Sequence, residues 1–349
     1  MKDFIRISKY AGMREDLVQA GGGNSSFKLD EEKMYIKASG YRLDDVSEYT
    51  GYCAVKYKMI QDFFKNSVDV DSVSSVDCDK LLKDALIEGG RPSIETFMHS
   101  FMGKYTLHTH PVSVNAIACR KHGMNDLASL FPHALIVPYA TPGADLAKAF
   151  FRAYSSLDAM KSEHVGCKIA FLQNHGLIVS GSSADEVIAE TERTLDTLDV
   201  FIGRDNSLYQ HTTQIWDFFK DKIVWAVTDT HVIEYYRKQD RLWNHTFCPD
   251  CVVFLGKSFL DARFELNDEV VSEYVKKNGQ LPVVVAHKGN LYIIADRVEK
   301  AMQIQSVLSF SAQVMEINEG KECELLPEWE QDKLLNWDAE KYRRTLRHL

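Results

Sequence analysis

Two histidines separated by one residue could bind a metal ion. His108 and His110 occur in the segment LHTHP at 107–111. Successive side chains of a strand point to opposite faces, so residues i and i+2 share a face. Leu107 and the apolar run after Pro111 are typical of a strand that leads into a buried helix. The spacing therefore predicts two imidazoles on one face of a strand.

A third histidine has surroundings that favour the same site. His175 occurs in LQNHGL, beside a glycine and between the apolar runs IAFL and LIVS, which predicts a position on a second strand. Three neutral imidazoles that leave one position open are the ligand set of a catalytic divalent metal. The alternative is that these are unrelated histidines among the twelve in the chain, but the combination of HxH with an apolar-flanked His-Gly is uncommon.

An acidic residue could complete this site. Glu95 opens a helical pattern in RPSIETFMHSF. A carboxylate beside an open metal position is what a proton transfer at carbon requires. Glu95 could instead be an ordinary acid in the first turn of a helix, where negative charge is favoured.

The elements that must position these residues alternate between strand and helix patterns. The residues predict an α/β fold, a three-layer α/β/α sandwich on one mixed sheet, because short hairpins such as 25–38 are combined with longer connections. Ser183 or Asp185 could cap a long helix at 184–203. The other segments predicted as helices include 76–89 and 92–103.

Composition limits the classes of protein to which the chain could belong. It has 349 residues, 45% of them hydrophobic, and a formal charge of −9. A net negative charge does not predict a binding surface for nucleic acid or anionic lipid. A local pocket for a sugar phosphate is still compatible with it, because such a pocket needs only a few lysines and backbone amides. No apolar run is long enough to span a membrane, and no signal-peptide core follows the N-terminus. Seven cysteines, an odd number, argue against a disulfide framework and favour a cytoplasmic location.

The last third of the chain has a plan that occurs earlier in the sequence. Residues 282–317 and 168–202 both contain two apolar strands around a glycine turn, followed by a long helix. We therefore expect a metal-binding domain at 1–215 and a C-terminal α/β domain at 216–349, an α+β segment that would be a degenerate copy. Aligning Gly289 with Gly176 places Lys288 at the position of His175, and a cationic lysine predicts a metal-free copy. The alternative is two unrelated hairpin-plus-helix units.

A second cluster of ligand-type residues occurs in NHTFCPDCVVF. His245, Cys248 and Cys251 lack a fourth zinc ligand at the usual spacing. The segment CPDC is therefore interpreted as a loop that enters a buried strand, VVFLG.

Five motifs together resemble the class II aldolase/adducin family. The resemblance covers roughly residues 8–205 and is closest to the aldolase half of bifunctional rhamnulose-phosphate aldolase/dehydrogenases, without a dehydrogenase half. The family also includes fuculose- and ribulose-phosphate aldolases and epimerases. The motifs are GGGNSSFK at 21–28, YIKASG at 35–40, PSIET at 92–96, HTHP at 108–111 and QNHGL at 173–177.

The resemblance implies roles for particular residues and a mostly antiparallel sheet. His108, His110 and His175 would hold Zn²⁺, or Mn²⁺, Fe²⁺ or Co²⁺ in its place. Glu95 would touch the resting metal and then act as general acid/base. The residues expected to bind the substrate phosphate are Gly23, Asn24, Ser39, Gly40 and Ser93, with Lys37 or Lys28 as supporting cations.

The implied activity is a metal-dependent aldol cleavage of a phosphorylated sugar or ketose, by a homo-oligomer that is a tetramer or dimer. An epimerase or dehydratase would use the same metal site, and adducin-type proteins would use the fold as an interaction module without catalysis. Two positions depart from the fuculose-phosphate aldolase pattern. Ile94 replaces a phosphate-binding serine, and the catalytic tyrosine has no motif counterpart, Tyr139 being the nearest.

Overall fold

The chain divides into two compact units, residues 1–206 and 207–349. The computed structural model describes residues 1–160, 168–219, 221–239 and 242–336. The division falls between Asn206 and Ser207, whereas the sequence predicted it between residues 215 and 216. No helix in the described part of the chain has the length and apolar character needed to cross a membrane.

An eight-stranded sheet forms the centre of the first unit. Its strands are β1 (Asn24–Lys28), β2 (Lys33–Lys37), β3 (Tyr52–Lys56), β4 (Leu86–Gly89), β5 (Tyr105–Thr109), β6 (Leu135–Val137), β7 (Ile169–Leu172) and β8 (Gly176–Gly181). They lie in the order β4-β3-β2-β1-β5-β8-β7-β6. Every neighbouring pair is antiparallel except β6 and β7. The predicted mixed, mostly antiparallel sheet is confirmed.

Helices cover both faces of this sheet. They are α1 (Lys2–Gly12), α2 (Tyr57–Asn66), α3 (Ser75–Ala85), α4 (Thr96–Phe101), α5 (Val112–Ala118), α6 (Gly123–Leu130), α7 (Ala144–Met160) and α8 (Ala184–Ile202). Helices α2, α3, α4 and α7 share one apolar core with β6, β7 and β8, in which Phe64, Phe97 and Phe150 are buried. Helix α8 packs against α1, α5 and β8 on the opposite face. This arrangement is the predicted three-layer sandwich.

Capping accounts for the start of α8, and strand pairing corrects the prediction for α3. The Ser183 hydroxyl accepts a hydrogen bond from the Glu186 backbone N–H, as the sequence predicted for this position. The helix predicted at 76–89 is wrong in its last turn, because α3 ends at Ala85 and residues 86–89 form β4. Pairing of β4 with β3 gives the backbone N–H and C=O groups of this segment hydrogen-bond partners that a helix would otherwise provide.

The second unit is built on a four-stranded sheet. Its strands are β9 (Ile223–Ala226), β10 (Leu260–Asp261), β11 (Val284–His287) and β12 (Asn290–Ala295). Its helices are α9 (Ser207–Trp216), α10 (Thr230–Lys238), α11 (Pro249–Leu255), α12 (Asp268–Asn278), α13 (Val298–Ile317) and α14 (Glu328–Asn336).

The predicted strand VVFLG is wrong, since these residues lie in and directly after α11. An apolar run this short fits a buried helix as well as a strand, and Pro249 at the first helical position favours the helix.

The four strands of the second unit repeat the topology of β5, β6, β7 and β8. The sheet orders are β5-β8-β7-β6 and β9-β12-β11-β10. In both sheets the outermost pair, β6–β7 or β10–β11, is parallel and the other two pairs are antiparallel. The helices also occur at the same points, two after the first strand, one after the second and one after the last.

Candidate metal centre

The HxH pair lies at the end of a central strand. His108 is on β5, which pairs with β1 on one side and β8 on the other. His110 follows the strand, and its backbone N–H donates to the Leu17 carbonyl at 2.8 Å. His108 is fully buried. Pairing on both sides therefore fixes the backbone from which these two imidazoles project.

His175 lies in a turn rather than on the predicted second strand. Leu172 pairs with Gly176, so residues 173–175 form the connection between β7 and β8. A Cβ atom at Gly176 would come within 2.2 Å of the Thr109 carbonyl oxygen. Only glycine lets this turn approach β5 so closely, which is the physical reason for the His-Gly pair.

Glu95 points into the same site. Its Oε1 atom lies 3.2 Å from His108 Nε2 and 3.5 Å from His175 Nε2. Its Oε2 atom accepts a hydrogen bond of 2.9 Å from Asn24 Nδ2. Glu95 directly precedes α4, but its side chain makes no capping hydrogen bond. The alternative that Glu95 is an ordinary helix-terminal acid is therefore not supported by its contacts.

The distances between the imidazoles fit a shared metal ion. His108 Nε2 lies 3.1 Å from His175 Nε2 and 3.2 Å from His110 Nε2. Nitrogens that bind one metal at 2.0–2.1 Å, at angles between octahedral and tetrahedral, are separated by about 2.8–3.4 Å. One ligand-type atom from each of the three histidines and Glu95 lies within 4.8 Å of all the others. This donor set suits a divalent cation such as Zn²⁺.

A backbone carbonyl orients the most buried of these ligands. His108 Nδ1 lies 3.0 Å from the Leu177 carbonyl oxygen on β8. The carbonyl can only accept, so Nδ1 carries the proton and the Nε2 lone pair faces the site. The Asn115 side chain on α5 also donates to the His175 carbonyl at 3.1 Å.

The protonation of the site suits metal binding. Burial lowers the pKa of His110 to about 3, and the repulsion that His108 and His175 would exert in their protonated forms adds to this shift. Burial alone would raise the pKa of Glu95, but His108, with hydrogen bonds from His175 and Asn24, holds it well below its usual range. At neutral pH the site therefore combines a neutral His110 with an ionised carboxylate.

We expect the stability of the metal-free protein to fall in acid because His99 is buried in its neutral form. Burial lowers the pKa of His99 to about 3, whereas the unfolded chain binds this proton near pH 6.5. His99 therefore contributes fully to the free energy of unfolding above about pH 6.5. This contribution is lost as the pH falls towards 3, and the loss amounts to about 2 kcal/mol at pH 5. Urea unfolding between pH 7 and 5 measures this slope. His99→Gln should make it shallower and His133→Gln, at an exposed position, should not; equal slopes in all three proteins would contradict the assignment.

The residues expected to bind phosphate lie on two adjoining segments. Ser93 Oγ is 3.5 Å from Glu95 Oε2, the same carboxylate oxygen that Asn24 contacts. The Ser39 backbone N–H donates to the Arg91 carbonyl, and the bridge between Ala38 and Pro92 joins the two segments. The fold therefore brings the KASG and PSIET motifs together beside the carboxylate.

The two candidate lysines have different surroundings. Lys37 is buried and donates from Nζ to the Tyr41 carbonyl at 2.7 Å. Burial lowers the pKa of Lys37, and the negative charge of Glu95 opposes that shift. Lys28 instead donates to the carbonyls of Ser100 and Met102. Lys28 thus binds the C-terminal end of α4, and only Lys37 has an electrostatic link to Glu95.

Part of the glycine run has a packing role that the sequence did not indicate. A Cβ atom at Gly22 would lie 2.9 Å from His110 Nδ1, and one at Gly23 would lie 2.9 Å from the His108 carbonyl oxygen. Gly23 also has a φ of +75°. These glycines let the loop lie directly against the HxH strand, while Gly40, with a φ of +89°, has open space around its α carbon.

Sequence reasoning missed the side chains that support the ligands from a second layer. Asn115 sits in the apolar segment VSVNAIA, where a lone polar residue was the available signal. Arg14 is fully buried and makes two hydrogen bonds to Asp16. Asp16 and Leu17 in turn supply the backbone carbonyls that hold Val112 and His110.

The second cluster of ligand-type residues does not form a metal site. In the described part of the chain, His245, Cys248 and Cys251 do not come together as a group of three metal ligands. His245 Nε2 instead bonds to the Gly256 carbonyl at 2.7 Å.

Comparison with known proteins identifies the family of the larger part of the chain. Residues 2–200 match the family described as Class II Aldolase and Adducin N-terminal domain. The chain belongs to this family, as its motifs predicted. No curated protein matches the chain.

Several solved structures are similar to the chain. The N-terminal class II aldolase domain of a conserved protein from Thermoplasma acidophilum is 23% identical, with a TM-score of 0.48, and the match covers 57% of this chain and 92% of that one. A sugar-phosphate aldolase from Thermotoga maritima is 16% identical with a TM-score of 0.39, covering 59% and 98%. The L-fuculose-1-phosphate aldolase from Thermus thermophilus is 13% identical with a TM-score of 0.34, covering 62% and 98%.

Proposed function

We propose that this protein is a divalent-metal-dependent aldolase, a lyase that cleaves or forms a carbon–carbon bond in a phosphorylated ketose. The observation that carries the proposal is the convergence of three imidazole Nε2 atoms and the Glu95 carboxylate at the end of β5. A scaffold that only binds other proteins has no physical need for open metal ligands. Family membership is consistent with the use of such a centre for an aldol reaction.

The chain's own residues divide the work of this reaction. A divalent cation held there would supply Lewis-acid stabilisation of the negative charge that develops when the carbon–carbon bond breaks. His108, His110 and His175 would hold that cation, most simply Zn²⁺. Glu95 would carry the proton at Oε1, which faces the imidazoles, while Asn24 fixes Oε2.

The substrate phosphate would bind beside this carboxylate. We assign it to the joined KASG and PSIET segments, through Ser39, Gly40 and Ser93, with Gly23 and Asn24 at the start of β1. Lys37 would add a positive charge from within the fold. Ile94 cannot donate the hydroxyl hydrogen bond of a serine at this position, so the phosphate would rest on fewer side-chain donors.

The proposal is tested by presenting phosphorylated ketoses to the metal-loaded protein and measuring release of dihydroxyacetone phosphate. We expect release from at least one ketose 1-phosphate, its loss with a chelator and its return with Zn²⁺ or Co²⁺. Conversion of the substrate to a stereoisomer without release would instead identify an epimerase, and loss of water a dehydratase. A metal-loaded protein that converts none of these substrates would contradict the enzyme assignment and favour an adducin-like interaction role.

We further propose a homo-oligomer, a tetramer or dimer. Closed symmetric assemblies are the usual state of soluble oligomers, and the resemblance to the family implies sites that are completed across a subunit interface. Sedimentation at several concentrations should give a mass above that of a single chain of 39.8 kDa. A strict monomer at every concentration would refute this proposal.

We also propose that the second unit is a metal-free copy of the strands that carry the site. His108 on β5 pairs with Ile178, and Ala226 on β9 pairs with Tyr292. The same number of residues separates His108 from the start of α5 and Ala226 from the start of α10. Ala226 therefore takes the place of His108, and Thr228 the place of His110.

The turn of the second unit corrects the sequence alignment by one residue. Helix α13 begins as many residues after the start of β12 as α8 begins after the start of β8. Gly176, the first residue of β8, therefore corresponds to Asn290, the first residue of β12. Asn174 and Lys288 then coincide, and both have positive φ, 53° and 43°. Gly289, rather than Lys288, takes the place of His175. Neither alanine nor glycine has a side chain that can bind a metal.

A further inference from the structure

Two cysteines of the second unit lie close together with unequal exposure. The sulfur atoms of Cys248 and Cys251 are 3.3 Å apart. Cys248 directly precedes α11 and is partly exposed, whereas Cys251 is fully buried. The two thiols therefore face each other, with only the first accessible from solvent.

The buried thiol belongs to a small hydrogen-bonded group. Ser311 on α13 makes a side-chain hydrogen bond with Cys251, and Trp243 Nε1 donates to Ser311 Oγ at 3.0 Å. Burial raises the pKa of the Cys251 thiol, and the neighbouring Cys248 raises it further. Cys251 is thus kept protonated beside a thiol that solvent can reach.

We propose that Cys248 and Cys251 form a reversible dithiol–disulfide couple that exchanges with low-molecular-weight disulfides. A disulfide needs its sulfurs at about 2.05 Å. Closing the present gap takes a shift of about 1 Å, which side-chain rotation supplies without unfolding α11. In the described part of the chain the pair does not belong to a group of three metal-ligand residues.

Exposure sets the order of the two exchange steps. Cys248 loses its thiol proton to solvent and attacks one sulfur of the external disulfide, whose S–S bond breaks and releases one thiol. Cys251 then attacks Cys248 Sγ and breaks the mixed disulfide, and its thiol proton passes to the departing thiolate, which leaves as the second thiol. Two electrons pass from the cysteine sulfurs to the external disulfide, which is reduced to two thiols.

The experiment exposes the full-length protein to oxidised glutathione, quenches it with acid and an alkylating reagent, and maps the peptides by mass spectrometry. In the wild-type protein we expect the 248–251 peptide to lose two hydrogen atoms, to resist alkylation and to recover both thiols with dithiothreitol. Tryptophan fluorescence should change in parallel, because Trp243 is hydrogen-bonded to the partner of Cys251.

Three variants separate this couple from ordinary thiol oxidation. In Cys251→Ser, or Cys251→Ala if the first fails to fold, glutathione should accumulate on Cys248 because nothing resolves the mixed disulfide. In Cys248→Ser, Cys251 should stay an unmodified thiol. Cys119→Ser removes an exposed cysteine of the first unit and should leave the internal disulfide unchanged.

Two outcomes in the wild-type protein would overturn the proposal. One is that both thiols remain free in a large excess of oxidised glutathione. The other is that Cys248 keeps its glutathione to the same extent as in Cys251→Ser, since Cys251 would then not act as the resolving thiol.

Discussion

Replacing two of the three imidazoles should empty the metal centre. We expect the native protein to carry about one divalent metal per chain, and His108→Ala/His175→Ala to carry none after dialysis. His108 is the ligand on which the other two converge, at 3.1 and 3.2 Å, so its loss with His175 leaves only His110 and Glu95. Two donors do not hold a divalent metal against dialysis. Elemental analysis of the purified proteins measures the result.

An exposed histidine provides the matched control for this experiment. His133 lies at the surface and outside the cluster, so His133→Ala should retain full metal occupancy. Circular dichroism of the double variant shows whether the sheet persists, because β5 remains paired on both sides without the imidazoles. Full occupancy in a folded double variant would place the metal elsewhere and remove the basis of the proposed activity.

Replacing the carboxylate should separate metal binding from catalysis. We expect Glu95→Gln to keep most of its metal, because the three imidazoles remain, and to lose about two to four orders of magnitude in turnover, the usual contribution of a positioned acid/base. Glutamine can still accept a hydrogen bond from Asn24 through its carbonyl oxygen, which preserves the local geometry. Its amide cannot take up and return a proton at the position that faces the imidazoles.

The comparison requires both metal content and turnover for each protein. Glu48→Gln, at an exposed position, should match the native protein in both. If Glu95→Gln turned over at a rate near that of the native protein, Glu95 would be a structural acid and the proton would be carried by another group. A variant that lost its metal as well would identify Glu95 as an essential ligand instead.

Much of the first unit was accessible from sequence because its signals are local. The alternation of side chains along an extended segment places His108 and His110 on the same face, whatever surrounds them. Ser183 caps α8 through a contact to Glu186, three residues away. Patterns of this range predicted the layered α/β sandwich and the strand that carries His108 and ends directly before His110.

Signals of the same range failed where two structures compete for a short segment. The apolar run after CPDC forms α11, although a strand was expected, because four or five apolar residues suit either structure. Residues 86–89 leave the helix to pair with β3. Under the proposed repeat, the alignment of the second unit shifts by one residue, because the turns around Gly176 and Gly289 differ in length and only strand pairing reveals this difference.

The sequence by itself determined which chemical groups are present and that the imidazoles of His108 and His110 lie on one face of an extended segment. Tertiary structure decided that His175, in a turn, and Glu95, before α4, meet those imidazoles within hydrogen-bonding distance. These contacts join segments far apart in the chain, so their geometry depends on the order of strands in the sheet. It also depends on close approaches that Gly22 and Gly176 permit. Local periodicity contains no information on the strand order or on these close approaches, because both are set by the packing of the completed sheet.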